Sequence, residues 1–390
     1  MAISGLIWSS FGVFLVALQK EFGWSRGEIS TAFAIFALAN AISAPFLGHV
    51  MRIWDSRRIM GALALLLGGT LCGTALFVNG IAGYWLIFGL LGGVGAQCVS
   101  SFAVFAILAR RIRTRLATSM SIADAGSGLA TLLGLPLIQA VIEVHGWRAA
   151  YAVLGLLVIL LVAAIHLLIF DAVRLDQRRS AHRSEVALSL SRRIRAGQWR
   201  LAVMCLAFFF GSASYHGLLT QQIAIFDAEG IAPDRAVWIA SFGGGVIFLW
   251  RLGSGWLCDV VGVGRVITAA TLAVGLTYVG MGFVMTGSQG FALVLYPLAL
   301  GVGFGGQQVI MATAMRGLSP CADFPVNLGY GRLASGLGMA AGPPAAGLVY
   351  DFSGSTLAVV SLLAVASTAH VLTLLVAIIR YGAQLRRLNT

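Results

Sequence analysis

The chain has 390 residues, of which 59% are hydrophobic and 10% charged, with a mean hydropathy of +0.91 and a formal net charge of +12. A soluble domain carries roughly 25% charged residues, so an ordinary soluble enzyme is excluded; 49 glycines without a Gly-X-Y period and only 8 prolines exclude collagen-like and disordered chains as well. What remains is an all-α polytopic membrane protein, and at about 20 apolar residues per span the length admits twelve spans.

Apolar runs bounded by charges predict helices over 3–19, 30–50, 59–79, 83–109, 117–142, 149–170, 201–226, 236–257, 265–286, 289–315, 325–349 and 355–379. The first run is short and has neither a basic residue ahead of it nor a small-residue cleavage site, so it reads as a first helix truncated at its start, not as a signal peptide. Between Phe170 and Leu201 the sequence turns polar and basic, DAVRLDQRRSAHRSEVALSLSRRIRAGQWR. This linker, 171–200, separates an N-terminal six-helix bundle, 1–170, from a C-terminal one, 201–390, that ends in a short tail.

The cations orient the predicted spans. With the N-terminus inside, 20 of the 26 Lys and Arg fall in cytoplasmic segments, among them Arg57, Arg58, Arg110, Arg111 and the eight arginines from Arg174 to Arg200. Lys20, Arg26, Arg148 and Arg235 fall outside, and Arg251 and Arg332 fall within spans. The positive-inside rule then puts both termini in the cytoplasm of a cell that holds the protein in its cytoplasmic (inner) membrane. Because the positive charge is spread over every cytoplasmic loop, it needs no nucleic-acid partner. Cys72, Cys98, Cys205, Cys258 and Cys321 form no CxxC pair and read as small apolar residues, neither disulfides nor a metal site.

The halves echo each other. Gly128, Gly134, Pro136 and Gly146 recur as Gly336, Gly342, Pro344 and Gly354 at an offset of 208. Gly93, Gly95 and Gln97 recur as Gly303, Gly305 and Gln307 at 210, and Gly48 and Arg58 as Gly255 and Arg265 at 207. Three sets at nearly one offset indicate a parallel repeat of six helices, the pattern of a transporter with its site between two pseudo-symmetric halves.

These residues resemble a known family. Gly255-Trp256-Leu257-Cys258-Asp259, with Gly262 and Arg265, resembles the Gly-x-Leu-x-Asp-x-x-Gly signature of the major facilitator superfamily. Phe11-Gly12-Val13-Phe14, Glu21-Phe22-Gly23-Trp24-Ser25-Arg26, Ile29-Ser30, Gly146-Trp147-Arg148-Ala149-Ala150-Tyr151 and Gly342-Pro343 with Gly347, Asp351 and Gly354 are similar to its monocarboxylate and oxalate-formate branch. The resemblance implies the major facilitator fold, twelve helices in two pseudo-symmetric bundles, and a conformational latch at Gly255, Asp259, Gly262 and Arg265. The first-half copy departs from the signature, with Arg52 where the acid is expected and Asp55 where the glycine is. Ile247 stands where carriers of the branch have an acid four residues before the eighth-span arginine, and Gln307 and Gln308 stand where many relatives have an acid.

An ionised group inside a bilayer is costly unless it faces a partner or a watery cavity, so such groups are functional candidates. Arg251 sits eight residues before Asp259, about 12 Å from the cytoplasmic end at 1.5 Å per residue, and offers a permanently charged fork for a carboxylate; the resemblance implies that it binds the substrate anion. Arg332 is either a second anion contact or a side chain that snorkels to the surface. Asp124, at offset 208 from Arg332, either pairs with Arg251 or Arg332, to be released by a substrate anion or a proton, or sits in water at the helix entrance. His216, beside Ser214, Tyr215, Gln221 and Gln222, is the second proton-coupling candidate, whereas His166 reads as structural. Gln97, Gln307 and Gln308 are neutral groups suited to orienting a polar solute.

The resulting expectation is a secondary active carrier of a small organic anion, monocarboxylate-like, working by alternating access with proton symport or anion exchange and acting as a monomer in the lipid bilayer. The alternative is a major facilitator exporter of drugs or other hydrophobic solutes, which leaves Arg251 unexplained. No HExxH, GxSxG or paired-acid constellation supports an enzyme, no phosphate-binding loop supports an ATP-driven pump, and neither a cofactor nor a metal is expected.

Overall fold

The computed structural model describes residues 2–53, 56–100, 116–163, 199–261, 263–285, 289–307 and 324–386, and these form twelve helical segments and no strand. In chain order they are α1 (Ala2–Phe22), α2 (Arg26–Ile53), α3 (Ser56–Phe77), α4 (Ile81–Val99), α5 (116–145), α6 (147–163), α7 (Trp199–Ala228), α8 (Pro233–Val261), α9 (Val263–Met285), α10 (Gln289–Gly305), α11 (Phe324–Ser353) and α12 (Thr356–Arg386). Each predicted apolar run coincides with one of them. The linker 171–200, apart from its last two residues, lies outside the described residues, as does His166. Eight stretches among the described residues are long and apolar enough to cross a membrane. The helices overrun the apolar runs, α2, α7, α8 and α11 having 28 to 30 residues each. Helix α4 widens into π geometry over Trp85–Leu91 before tightening again at Ala96–Val99.

The sequence repeat is also a repeat of contacts. Within the first half α1 packs on α5, α3 on α6 and α2 on α4; within the second, α7 packs on α11, α9 on α12 and α8 on α10. Across the halves α2 meets α11 and α5 meets α8, the two contacts that a pseudo-two-fold axis would exchange. The repeated glycines Gly128 and Gly336 stand at these crossings: a Cβ at Gly128 would lie 2.6 Å from Phe248 N, and one at Gly336 would lie 2.8 Å from the Ala41 methyl. Small residues permit such backbone approach. The backbone repeats too, since the positive-φ glycines of the turns, Gly23 and Gly146, have counterparts in Gly230 and Gly354.

Each half has its own core. Phe11, Phe14, Phe33, Phe36, Tyr84, Phe88 and Tyr151 dominate the first, where Phe14 stacks on Tyr151 at 3.9 Å and the Tyr84 and Tyr151 hydroxyls pair at 2.9 Å. Leu218, Phe226, Met281, Tyr296 and Phe304 centre the second. Large apolar side chains such as Phe77, Leu160, Leu272 and Phe291 face outward, as lipid contact requires.

At the end of the bundle that carries the α1–α2, α7–α8 and α11–α12 turns, the halves are sealed together. Ser25 and Glu28 form a capping box, with Ser25 N donating to Glu28 Oε2 at 2.9 Å and Glu28 N to Ser25 Oγ at 3.1 Å. The two remaining free amides of the first turn, Arg26 N and Gly27 N, donate to the two carboxylate oxygens of Asp351 on α11, at 3.1 and 2.8 Å. The Arg26 guanidinium lies 3.5 Å over the Tyr350 ring and donates to Ala224 O at 3.1 Å. Lys20 pairs with Asp227 at 3.4 Å, and Gln221 Nε2 donates to Ser30 Oγ at 2.9 Å. Apart from the capping box, every one of these contacts joins opposite halves.

Candidate functional site

Arg251 lies in the second half of α8, buried at 9% exposure, and reaches both halves of the molecule. Its Nε donates to Gly305 O at 2.6 Å. Gly305 is the last residue of α10, and the last carbonyls of a helix carry partial negative charge. Its Nη1 donates to Asp124 O at 3.0 Å and to Ser127 Oγ, and stands 3.2 Å from Asp124 Oδ2. Asp124 and Ser127 are one turn apart on α5, so one face of that helix presents carboxylate, carbonyl and hydroxyl to one guanidinium. Asp124 is 5% exposed, and its Oδ2, although close to Nη1, is outside hydrogen-bond geometry and keeps unused acceptor capacity. Among the described residues the contacts of Arg251 fall on Nε and Nη1.

Arg332 on α11 lies within electrostatic reach of Asp124. Two guanidinium groups and one carboxylate thus share the interior. Around them stand aromatic groups. Tyr215 on α7 stacks on Phe304 at 5.1 Å, next to the Gly305 carbonyl that Arg251 holds. His216 follows, its Nδ1 2.9 Å from Ser212 O, so that this nitrogen carries the proton of the neutral ring and Nε2 is the acceptor. Its ring lies 6.1 Å from Trp8 and 6.4 Å from Phe33, both of the first half.

The other candidates lie apart from Arg251. Gln97 is buried between α4 and α2, donating to Asn40 O while Asn40 Nδ2 donates to Gly93 O at 3.2 Å. The Gln307 amide lies against Gly211 on α7 and close to His370 on α12, within the second half. Gln308 and Gly262 are outside the described residues, as are the surroundings of Gly255 and Asp259 on α8; Arg265 on α9 is exposed. Ser127, the Gly305 carbonyl and the Asp351 contact with α2 are functional groups that sequence reasoning misses. Ser127 has a signal in hindsight, as a hydroxyl three residues after an intramembrane acid, whereas a backbone carbonyl has none.

The chain matches the model of the Major Facilitator Superfamily over residues 1–320. It is 25% identical to monocarboxylate transporter 11 of Mus musculus over 368 residues, 90% of this chain and 80% of the relative. It is 28% identical to monocarboxylate transporter 12 of Xenopus laevis over 147 residues, 37% of this chain. That match spans only 31% of the relative's length. In fold it is similar to the crystal structure of the nucleoside transporter NupG, with a TM-score of 0.69, 14% identity, and coverage of 98% of this chain and 97% of that one. A mutant form of NupG gives a TM-score of 0.74 at the same identity, covering 98% of each chain. With most of its length matched by the family model, and with the helix pairing described above, the chain belongs to the major facilitator superfamily.

Proposed function

We propose that this transporter carries a small organic anion by alternating access, the anion meeting Arg251. The observation that supports this reading most is the buried contact of Arg251 with Asp124, Ser127 and Gly305 O across the two halves. A cation held in the interior by an acid on the opposite half is a binding site with a built-in competitor. An incoming carboxylate can displace Asp124, loosening the α5–α8 contact that joins the halves. With Arg332 nearby, the three charged groups sum to one positive charge, which one monoanion neutralises. The exporter reading offers no role for that charge.

In this reading the seal between α2 and α11 closes the outward face, which follows from placing the termini in the cytoplasm, and the two halves, 1–170 and 201–390, rock about Arg251. Asp124 and His216 are the proton acceptors that symport would use, and exchange of one anion for another would need neither. Gln97, Gln307 and Gln308 act on the solute only if rocking brings them to it, and the protein acts as a monomer.

The decisive experiment is uptake of labelled mono- and dicarboxylates into proteoliposomes. Arg251→Ala is expected to abolish uptake, and Arg251→Lys, which keeps the charge but loses the planar fork, to reduce it at least tenfold. Wild-type uptake by both variants would refute the assignment. If His216 carries the coupled proton, His216→Gln flattens the dependence of uptake on pH between about 5 and 8; a profile unchanged by the substitution removes it from the mechanism.

A further inference from the structure

Tyr215, His216 and Arg332 lie deep in the bundle, surrounded by protein, yet each remains partly accessible to solvent, and Trp8 is only partly buried. Depth combined with accessibility marks the wall of an internal opening; a core side chain would be fully covered and a lipid-facing one would have protein on one side only. Three of these four wall residues are aromatic.

The opening is layered along the bundle axis. At one level stand Arg251, Asp124 and Ser127, and α1 reaches this level at Gly5, where a Cβ would lie 2.5 Å from Ser127 Cα. Three residues further along α1, about 4.5 Å at the helical rise, comes Trp8, which meets His216 at 6.1 Å and Phe33 at 5.2 Å. Tyr215 lies 4.9 Å from His216 and joins this level to Phe304, beside Gly305. One turn beyond Trp8 the space ends, because a Cβ at Gly12 would lie 3.1 Å from Thr220 O. The anion level is therefore roofed by a shallow aromatic level about one helical turn deep.

We infer that the solute is an aromatic monocarboxylate, its carboxylate on Arg251 and its ring against the wall that Trp8, Tyr215 and His216 form. This rests on the anion-site reading above and adds the half of the ligand that arginine does not select. The distance between levels suits a ring joined to its carboxylate by one or two bonds. Edge-to-face arrangements such as that of Trp8 with Phe33, at 78°, leave ring faces and edges to receive another π system. A two- or three-carbon acid would leave the aromatic level without contacts.

The test is counterflow of labelled phenylacetate, cyclohexylacetate and propionate at neutral pH by the full chain in proteoliposomes, with Arg251→Ala vesicles as the blank. Phenylacetate is expected to exceed both others about tenfold in rate over KM. Trp8→Leu is expected to bring the phenylacetate to cyclohexylacetate ratio within about twofold of unity, and Trp8→Phe to retain most of the preference. Arg251-dependent transport of propionate at a rate over KM equal to or above that of phenylacetate overturns the aromatic assignment while leaving the anion site standing. Equal transport of phenylacetate and cyclohexylacetate also overturns it, since hydrophobic volume would then suffice. Absence of Arg251-dependent transport for all three acids overturns both readings. The wild-type comparison decides the matter even if the Trp8 variants fail to fold.

Discussion

At the scale of single residues, Arg251 carries the site because its surroundings leave it charged without leaving it free. A buried ion pair contributes little net stability when intact, but removing one partner strands the other, a loss of about 3–5 kcal/mol. Asp124→Ala is therefore expected to lower the thermal midpoint of the detergent-solubilised protein, and the double variant Asp124→Ala/Arg251→Ala to recover most of that loss, as measured by heat denaturation. Equal, additive losses would show that the two groups are not coupled. The pair is legible in the sequence because intramembrane charges are rare and the repeat offset puts Asp124 at the level of Arg332. The Gly305 carbonyl is not legible: every residue has a carbonyl, and which one the guanidinium meets depends on how α10 lies against α8.

At the scale of elements, the position of every described helix follows from the hydropathy pattern, but its length does not. Polar ends that protrude from an apolar slab go on satisfying their backbone hydrogen bonds as helix, so α2, α7 and α8 run past the apolar segments that identify them. The π turn in α4 is equally silent, since Trp85–Leu91 is as apolar as its neighbours. Many of the glycines within the helices act as contact points. A Cβ at Gly347 would lie 2.7 Å from Arg26 O, so Gly347→Val should wedge α11 away from the start of α2. In a background with its five cysteines replaced, thiol labelling of Ser30→Cys, a buried position behind the seal, is expected to rise at least severalfold when Gly347→Val is added. Unchanged labelling would mean that the α2–α11 contact does not hold that face shut.

At the scale of the whole molecule, duplication supplies the architecture and divergence the chemistry. The contacts α2–α11 and α5–α8 are related by the repeat, yet the first sets an exposed carboxylate on buried backbone amides and the second buries a guanidinium on a carboxylate. The arginine distribution predicts that both termini face the cytoplasm; a fluorescent protein fused after Thr390 should therefore fold and fluoresce, and alkaline phosphatase at the same point should stay inactive. The seal at the α2–α11 end also sets a condition on the cycle. Asp351 grips two buried backbone amides, which cannot be left bare, so when the halves part there Arg26 N and Gly27 N must both be wetted at once. Opening that face is then an uptake of water as much as a motion of helices, and solutes excluded from protein surfaces, which draw water away, would hold the carrier shut without touching its binding site.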